Sequence, residues 1–99
     1  MTRKERVLAH WRRIREDARG AYDKNNESPG PYDCAFCQEL GCHRCPIAVK
    51  TGKSFCDGTP YYKAQDAWRN FVMWESGTES EWQAAADQMI AFLEDLPDD

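Results

Sequence analysis

The chain has 99 residues, of which 41% are hydrophobic and 30% charged, and its formal net charge is −4. A chain of this length forms one domain with a small core, and its hydrophobic and aromatic content excludes a disordered protein. No stretch approaches the roughly twenty apolar residues of a membrane span, and no apolar run follows the charged start MTRKERVLAHWRRIRE. We therefore expect a soluble, cytoplasmic protein.

Charge is distributed unevenly along the chain. Residues 1–24 carry eight Lys or Arg against four Asp or Glu, residues 25–58 carry three against four, and residues 59–99 carry two against nine. The net charge of these parts therefore changes from +4 through −1 to −7. The simplest interpretation is a dipolar fold whose ends attract each other, and the alternative is that one end binds a charged partner.

The first part, residues 1–22, is predicted to be a basic amphipathic helix over residues 2–22. Thr2 and Glu5 have the spacing of a capping box, and Gly20 is a signal for the end of the helix. Apolar residues recur at spacings of three and four and form one stripe: Val7, Leu8, Trp11, Ile14, Ala18 and Tyr22. We interpret His10, beside this stripe, as a surface histidine.

The second part, residues 23–58, is a polar loop followed by all five cysteines of the chain, which lie within twenty-three positions. Thiols in the cytosol are kept reduced, and an odd number of cysteines leaves one unpaired in a disulfide framework. A metal site tolerates a spare thiol. We therefore predict a loop-rich zinc-binding knot at residues 34–58.

The ligand set of this knot is not fixed by spacing alone. Two Cys-x2-Cys turns are typical of zinc sites, but only the four residues QELG separate them, which is tight for placing both around one ion. If Cys56 replaces Cys42, the loop PIAVKTGKSF wraps back to the metal. The favoured zinc ligands are therefore Cys34, Cys37, Cys45 and Cys56, with Cys42 as a rival ligand.

An iron–sulfur cluster is the inorganic alternative to zinc. Cys37-x4-Cys42-x2-Cys45 has the spacing of plant-type ferredoxins, and Cys45-Pro46 is similar to the end of the bacterial ferredoxin run. The match is partial, because Cys56 follows much sooner than the fourth cysteine of plant-type ferredoxins. Zinc therefore remains the prediction.

The third part, residues 59–99, is predicted to be an acidic helical hairpin. Its first helix covers residues 60–75, with Thr59 as the N-cap and Pro60 in the first turn. Its apolar positions are Tyr61, Ala64, Trp68, Phe71, Val72 and Trp74.

The last helix is predicted over residues 79–96, and Thr78 and Glu81 again have the spacing of a capping box. Its apolar side is formed by Trp82, Ala85, Ala86, Met89, Ile90, Leu93 and Leu96. The connection from the preceding helix is so short that the two should be antiparallel. The fold class is therefore mainly α, a single domain over residues 1–99 with about three helices around the knot.

The run CPIAVKTGKSFCDGTPY and the cysteines before it resemble a group of small cysteine-rich proteins encoded by tailed bacteriophages. That group shares C-x2-C, C-x2-C-P, a Thr-Gly and C-x-G-T-P-Y in this order, and the resemblance covers about residues 34–62. It implies an early, non-virion product in the host cytosol and no particular activity. The positions that carry it are Cys34, Cys37, Cys42, Cys45, Pro46, Ile47, Thr51, Gly52, Cys56, Gly58, Thr59, Pro60 and Tyr61.

We expect no enzymatic activity and no small-molecule substrate. The sequence has no Gly-rich phosphate loop, its two histidines do not build a nuclease or Ser/His/Asp site, and all-thiolate zinc leaves no open position for water. The leading hypothesis is a zinc-stabilised module that binds a host or phage protein, as an acidic inhibitor in one version. It rests on aromatic residues in excess of a small core: Tyr32, Phe36, Tyr61, Tyr62, Trp74 and Trp82.

The alternative function is nucleic-acid binding by the first helix. Clustered cations on one helix face contact phosphates with a strong dependence on salt. The candidate residues are Arg3, Arg12, Arg13, Arg15 and Arg19. The objection is the nine acidic residues of the last part, which would repel the same phosphates.

Overall fold

The protein is mainly helical, as the sequence predicts. A computed structural model describes residues 2–29, 50 and 59–96. Its helices are α1 (Arg3–Glu16), α2 (Ala18–Asn25), α3 (Tyr61–Trp68), a π-helical segment (Arg69–Met73) and α4 (Glu79–Glu94). No β-strand occurs among the described residues. Of the predicted knot at residues 34–58, the structure describes only Lys50.

The start of α1 confirms the predicted capping box. The hydroxyl of Thr2 accepts a hydrogen bond from the backbone N–H of Glu5 at 3.1 Å, and the Thr2 N–H donates to the Glu5 carboxylate at 3.4 Å. These bonds satisfy backbone donors that have no partner within a helix. Because the cap is local in sequence, the helix start can be predicted without knowledge of tertiary contacts.

The predicted first helix is divided into two at Asp17. This residue has non-helical angles, φ −148° and ψ 71°, and its carboxylate accepts from the Gly20 N–H at 3.1 Å as the N-cap of α2. Asp competes with helical hydrogen bonding through its short acceptor side chain, which explains the break. The interpretation of Gly20 as a helix end is wrong, since α2 continues to Asn25 and stops at Asn26 in the left-handed conformation.

The predicted helix over residues 60–75 begins as α3 and ends with π-helical geometry. Pro60 is the N-cap residue, and the Thr59 hydroxyl accepts from the Tyr61 N–H at 3.1 Å. At the other end the Trp74 N–H donates to the Arg69 carbonyl, five residues back, at 2.9 Å. The chain therefore leaves the α register before the turn into α4.

Helices α1 and α4 pack antiparallel, and each supplies side chains to the other's C-terminal carbonyls. Near the start of α1, Lys4 Nζ donates to the carbonyls of Glu94 and Leu96 at 2.9 and 2.6 Å. Near the start of α4, Trp82 Nε1 donates to the Ile14 carbonyl at 3.0 Å. The last carbonyls of a helix lack partners within it, so both ends are satisfied by this reciprocal arrangement.

The core lies where α1, α3 and α4 meet. The Trp11 ring stacks on Trp82 with centroids 6.2 Å apart and meets Tyr61 edge-on at 6.3 Å. Trp11 of α1 contacts Tyr61 at the start of α3, and Arg19 of α2 contacts Phe71 in the π-helical segment that follows α3. Helix α3 therefore runs in the same direction as α1 and opposite to α4, as predicted. The buried core residues are Val7, Leu8, Trp11, Ile14, Ala18, Ala21, Ala64, Trp68, Phe71, Trp82, Ala85, Ala86, Met89, Leu93 and Leu96.

None of the helices that the structure describes is long and apolar enough to span a bilayer.

Candidate interaction site

The predicted metal ligands Cys34, Cys37, Cys42, Cys45 and Cys56 lie outside the described residues. Within residues 2–29, 50 and 59–96 no three His, Cys, Asp or Glu side chains form a group that could hold a metal ion. Zinc binding therefore stays a prediction of the sequence.

The arginines proposed for nucleic-acid binding mostly face carboxylates of the same chain. Arg12 pairs with Glu94 at 3.2 Å, and Arg13 pairs with Glu27 at 3.2 Å. Arg3, in the first turn of α1, also has an interaction within the chain. The basic face of α1 is therefore partly neutralised by the protein itself.

Arg15 and Arg19 hold the helices together. Arg15 donates to the Asp87 carboxylate at 2.9 Å and to Glu16, and these hydrogen bonds raise the pKa of its guanidinium above its ordinary value. Arg19 donates to the Phe71 carbonyl at 3.1 Å and lies 4.4 Å from the centre of the Phe71 ring. The attraction expected between the basic and acidic ends is thus present as specific pairs between α1 and α4.

His10 is buried, at 5% exposure, and the interpretation as a surface histidine is wrong. Its Nδ1 lies 3.0 Å from the Glu27 carboxylate and its Nε2 lies 2.9 Å from the Ser28 carbonyl. Glu27 also accepts from Arg13. The chain after α2 folds back over α1 and covers this side chain, so the network has an evident structural role.

The aromatic residues predicted to be in excess do not form one surface. Trp82 is fully buried and Tyr61 is half-buried, whereas Tyr62 and Trp74 are 44% and 67% exposed. Tyr62 lies at the start of α3, roughly 18 Å along the helix from Trp74. Two of the residues, Tyr32 and Phe36, lie outside the described part of the chain. The exposed aromatic positions are therefore separate.

Among the described residues, the most exposed large apolar side chains belong to the turn between α3 and α4, which we call the hairpin tip (residues 73–78). Met73 is 50% exposed and Trp74 is 67% exposed, and they are adjacent. Sequence reasoning did not single out Met73. The sequence does indicate an exposed apolar side chain here, because the four consecutive apolar residues FVMW cannot all lie on one helix face.

The hairpin tip is fixed by its backbone. The N–H groups of Ser76 and Gly77 both donate to the Asn70 carbonyl, at 2.8 and 3.0 Å, and Glu75 has φ 56° in the left-handed region. A Cβ at Gly77 would lie 3.0 Å from the Asn70 Cβ and 3.4 Å from its backbone carbon. The close approach of the two chain segments therefore depends on glycine.

The π-helical segment determines where Trp74 points. In an α-helix a residue three positions after Phe71 returns close to the same face, but the wider turns of a π-helix do not bring it back. Phe71 is buried at 9% exposure, while Trp74 faces solvent. Arg19 stabilises this geometry by its hydrogen bond to the Phe71 carbonyl.

The hairpin tip and the first turn of α4 are acidic. The chain contains no Lys or Arg after Arg69, and Glu75 and Glu79 have no ion-pair partner among the described residues. Glu81 accepts a hydrogen bond from the Thr78 hydroxyl at 3.1 Å. The cations beside the tip are engaged, since Arg69 lies 3.9 Å from Asp66 and Arg19 contacts Phe71. An apolar pair is thus displayed next to carboxylates that have no ion-pair partner among the described residues, and Glu79 is stabilised by the N-terminus of α4.

Comparison with protein-family models, curated proteins and solved structures finds no match for this chain.

Proposed function

We propose that the protein is a small, non-catalytic interaction module that binds a host or phage protein in the host cytoplasm. In this proposal a structural zinc ion organises residues 34–58, and the helical hairpin presents the binding surface. The resemblance to cysteine-rich phage proteins supports the setting. The cysteine pattern supports the metal, since zinc bound by four thiolates stabilises a fold without providing a reactive position.

The observation that carries the proposal is the exposure of Met73 and Trp74 on a fixed turn. The two exposed apolar side chains are adjacent, and Trp is enriched among residues that dominate binding energy. Met adapts its shape to varied partners. Because Asn70 and Gly77 already fix the turn, binding would require little additional ordering.

The acidic character of the hairpin favours the inhibitor version of this function. Glu75 directly follows the apolar pair and Glu79 begins α4, both without ion-pair partners in the described chain, so they attract a basic surface. Many proteins that act on nucleic acids have such a surface. An acidic module seated there would block it by competing with the phosphates.

Nucleic-acid binding through α1 is less well supported. Arg12, Arg13 and Arg15 each pair with a carboxylate of the same chain, and a phosphate would have to displace it. The surrounding acids of α4 add repulsion. We expect no duplex DNA binding in a gel shift at low salt, and salt-sensitive binding that R12E/R13E abolishes would contradict this.

Photo-crosslinking tests the proposed function directly. A photoreactive phenylalanine at position 74, in place of Trp74, should give one dominant adduct in bacterial cytosol. The matched control carries the same group at Lys63, which is exposed near the start of α3, away from the hairpin tip. Absence of an adduct from position 74, or identical adducts from both positions, would contradict binding through the tip.

A further inference from the structure

We propose that the hairpin tip recognises an arginine side chain of its protein partner, with the guanidinium seated on the Trp74 indole beside Glu75 and Glu79. This inference rests on the proposed function and specifies the chemistry of the partner. The occupant is an arginine-bearing segment of another protein.

The first support is the combination of an exposed ring with carboxylates that have no ion-pair partner among the described residues. Trp provides the most favourable aromatic face for a cation, and the interaction is strengthened when carboxylates lie nearby. Trp74 is 67% exposed, and Glu75 and Glu79 follow it by one and five positions, without ion-pair partners in the described structure. A purely apolar partner would leave these charges unmatched.

The second support is that the same chemistry already occurs within the fold. The Arg19 guanidinium lies 4.4 Å from the centre of the Phe71 ring and donates to the Phe71 carbonyl. Phe71 belongs to the π-helical segment that leads into the tip. An arginine on the Trp74 face would repeat this contact three residues later on the outer side.

Arginine fits this site better than lysine. Its planar guanidinium stacks on an indole and still directs N–H groups sideways to carboxylates, whereas the ammonium of lysine is a compact and strongly hydrated charge. Met73 adds a polarisable apolar edge that suits the methylene stem of arginine. We therefore expect arginine to bind more tightly than lysine at equal charge.

Quenching of tryptophan fluorescence tests the local charge first. The chain has four tryptophans, and Trp11, Trp68 and Trp82 are 3%, 6% and 0% exposed, so a dissolved quencher reports on Trp74. Each quenching constant is divided by that of the same ion on free N-acetyltryptophanamide, because caesium is intrinsically a weaker quencher than iodide. We expect this normalised constant to be larger for caesium than for iodide, and E75Q and E79Q to reduce the difference. A normalised constant for iodide equal to or larger than that for caesium would overturn the inference.

Binding of an octa-arginine peptide, labelled for anisotropy, tests recognition. We expect salt-sensitive binding that is weaker for octa-lysine, about tenfold or more weaker for W74A, and about twofold to fivefold weaker for E75Q. The matched control is D23N, which removes one exposed carboxylate from α2 and should leave affinity unchanged. Equal loss in D23N and E75Q, or no loss in W74A, would overturn the inference.

Two further outcomes separate this inference from the proposed function. If position 74 crosslinks a partner whose binding is unaffected by E75Q and by salt, the module binds but not through arginine. If the protein sediments as a dimer that W74A converts to a monomer, the tip binds a second copy of the chain, and the arginine inference fails.

Discussion

The indole Nε1 of Trp82 donates a hydrogen bond to the backbone carbonyl of Ile14, 3.0 Å away, and both side chains are fully buried. Ile14 lies in the last turn of α1, where carbonyls have no partner within the helix. One side chain of α4 therefore fills the core and also completes the hydrogen bonding of α1. This contact links the first and last elements of the described fold.

Replacing Trp82 by Phe should destabilise the protein markedly. The buried Ile14 carbonyl would lose its donor, which costs about 1–3 kcal/mol, and the smaller ring would leave space in the core. Urea unfolding monitored by circular dichroism measures the loss. The control is W74F, which alters an exposed indole and should change the free energy of unfolding by less than about 0.5 kcal/mol. Equal stability of the two variants would contradict this role for Trp82.

Replacing Gly20 by Ala should fail to stabilise α2, although Ala is ordinarily about 1 kcal/mol better than Gly inside a helix. A Cβ at Gly20 would overlap the Asp17 carboxylate, which caps α2 by accepting from the Gly20 N–H. Displacing that cap costs about 1 kcal/mol. The expected net change in the free energy of unfolding is zero or unfavourable.

A double-mutant cycle separates the two effects on α2. In D17A the carboxylate is absent, so G20A should then stabilise by about 1 kcal/mol. If G20A has the same effect with and without Asp17, the proposed conflict between Cβ and cap does not exist.

These two predictions show where sequence reasoning succeeds and where it stops. The last helix was predicted over residues 79–96 and lies at Glu79–Glu94, because its cap at Thr78 and its apolar period are both local. The break at Asp17 was missed. An apolar stripe continues across it, and only the acceptor side chain of Asp17 shows that a second helix begins there.

Other features depend on contacts distant in sequence and could not be read from local patterns. His10 is buried because residues after α2 fold back onto α1. The exposure of Trp74 depends on the π-helical register, which Arg19 supports from α2. The paired arginines of α1 likewise became evident only when α4 was placed beside them.

The stability contribution of the Lys50–Asp95 pair should disappear in acid. Lys50 Nζ donates to the Asp95 carboxylate at 2.9 Å, and this hydrogen bond, with the attraction between the charges, lowers the pKa of Asp95. An Asp whose pKa is lowered by folding stabilises the protein above its unfolded pKa of about 3.9, and the effect is lost as pH falls through the folded pKa.

Proton NMR titration of the Asp95 carboxyl measures this shift. Its midpoint should lie below the ordinary Asp value in the wild type and return towards it in K50M. The pairing also predicts that the stability difference between wild type and D95N becomes smaller as pH falls below about 4. A midpoint that K50M leaves unchanged would contradict the assignment to Lys50.

Zinc removal should unfold or strongly destabilise the protein. A structural zinc site contributes on the order of 10 kcal/mol to folding at neutral pH, which exceeds the net stability of most domains of this size. Elemental analysis of the purified protein should give one zinc per chain with no visible absorption, and chelation should lower the unfolding temperature. Iron with visible absorption would instead support the iron–sulfur alternative.

Single serine substitutions then determine the zinc ligand set. Replacing Cys34, Cys37, Cys45 or Cys56 should remove zinc, because a thiolate lost from a closed tetrahedral site leaves an incomplete coordination shell. Replacing Cys42 is the matched control and should leave one zinc per chain and remove one freely reactive thiol. If C42S loses zinc while C56S retains it, both Cys-x2-Cys turns bind the ion, and the predicted ligand set is wrong. In that case the contact between Lys50 and Asp95 would not depend on metal binding by Cys56.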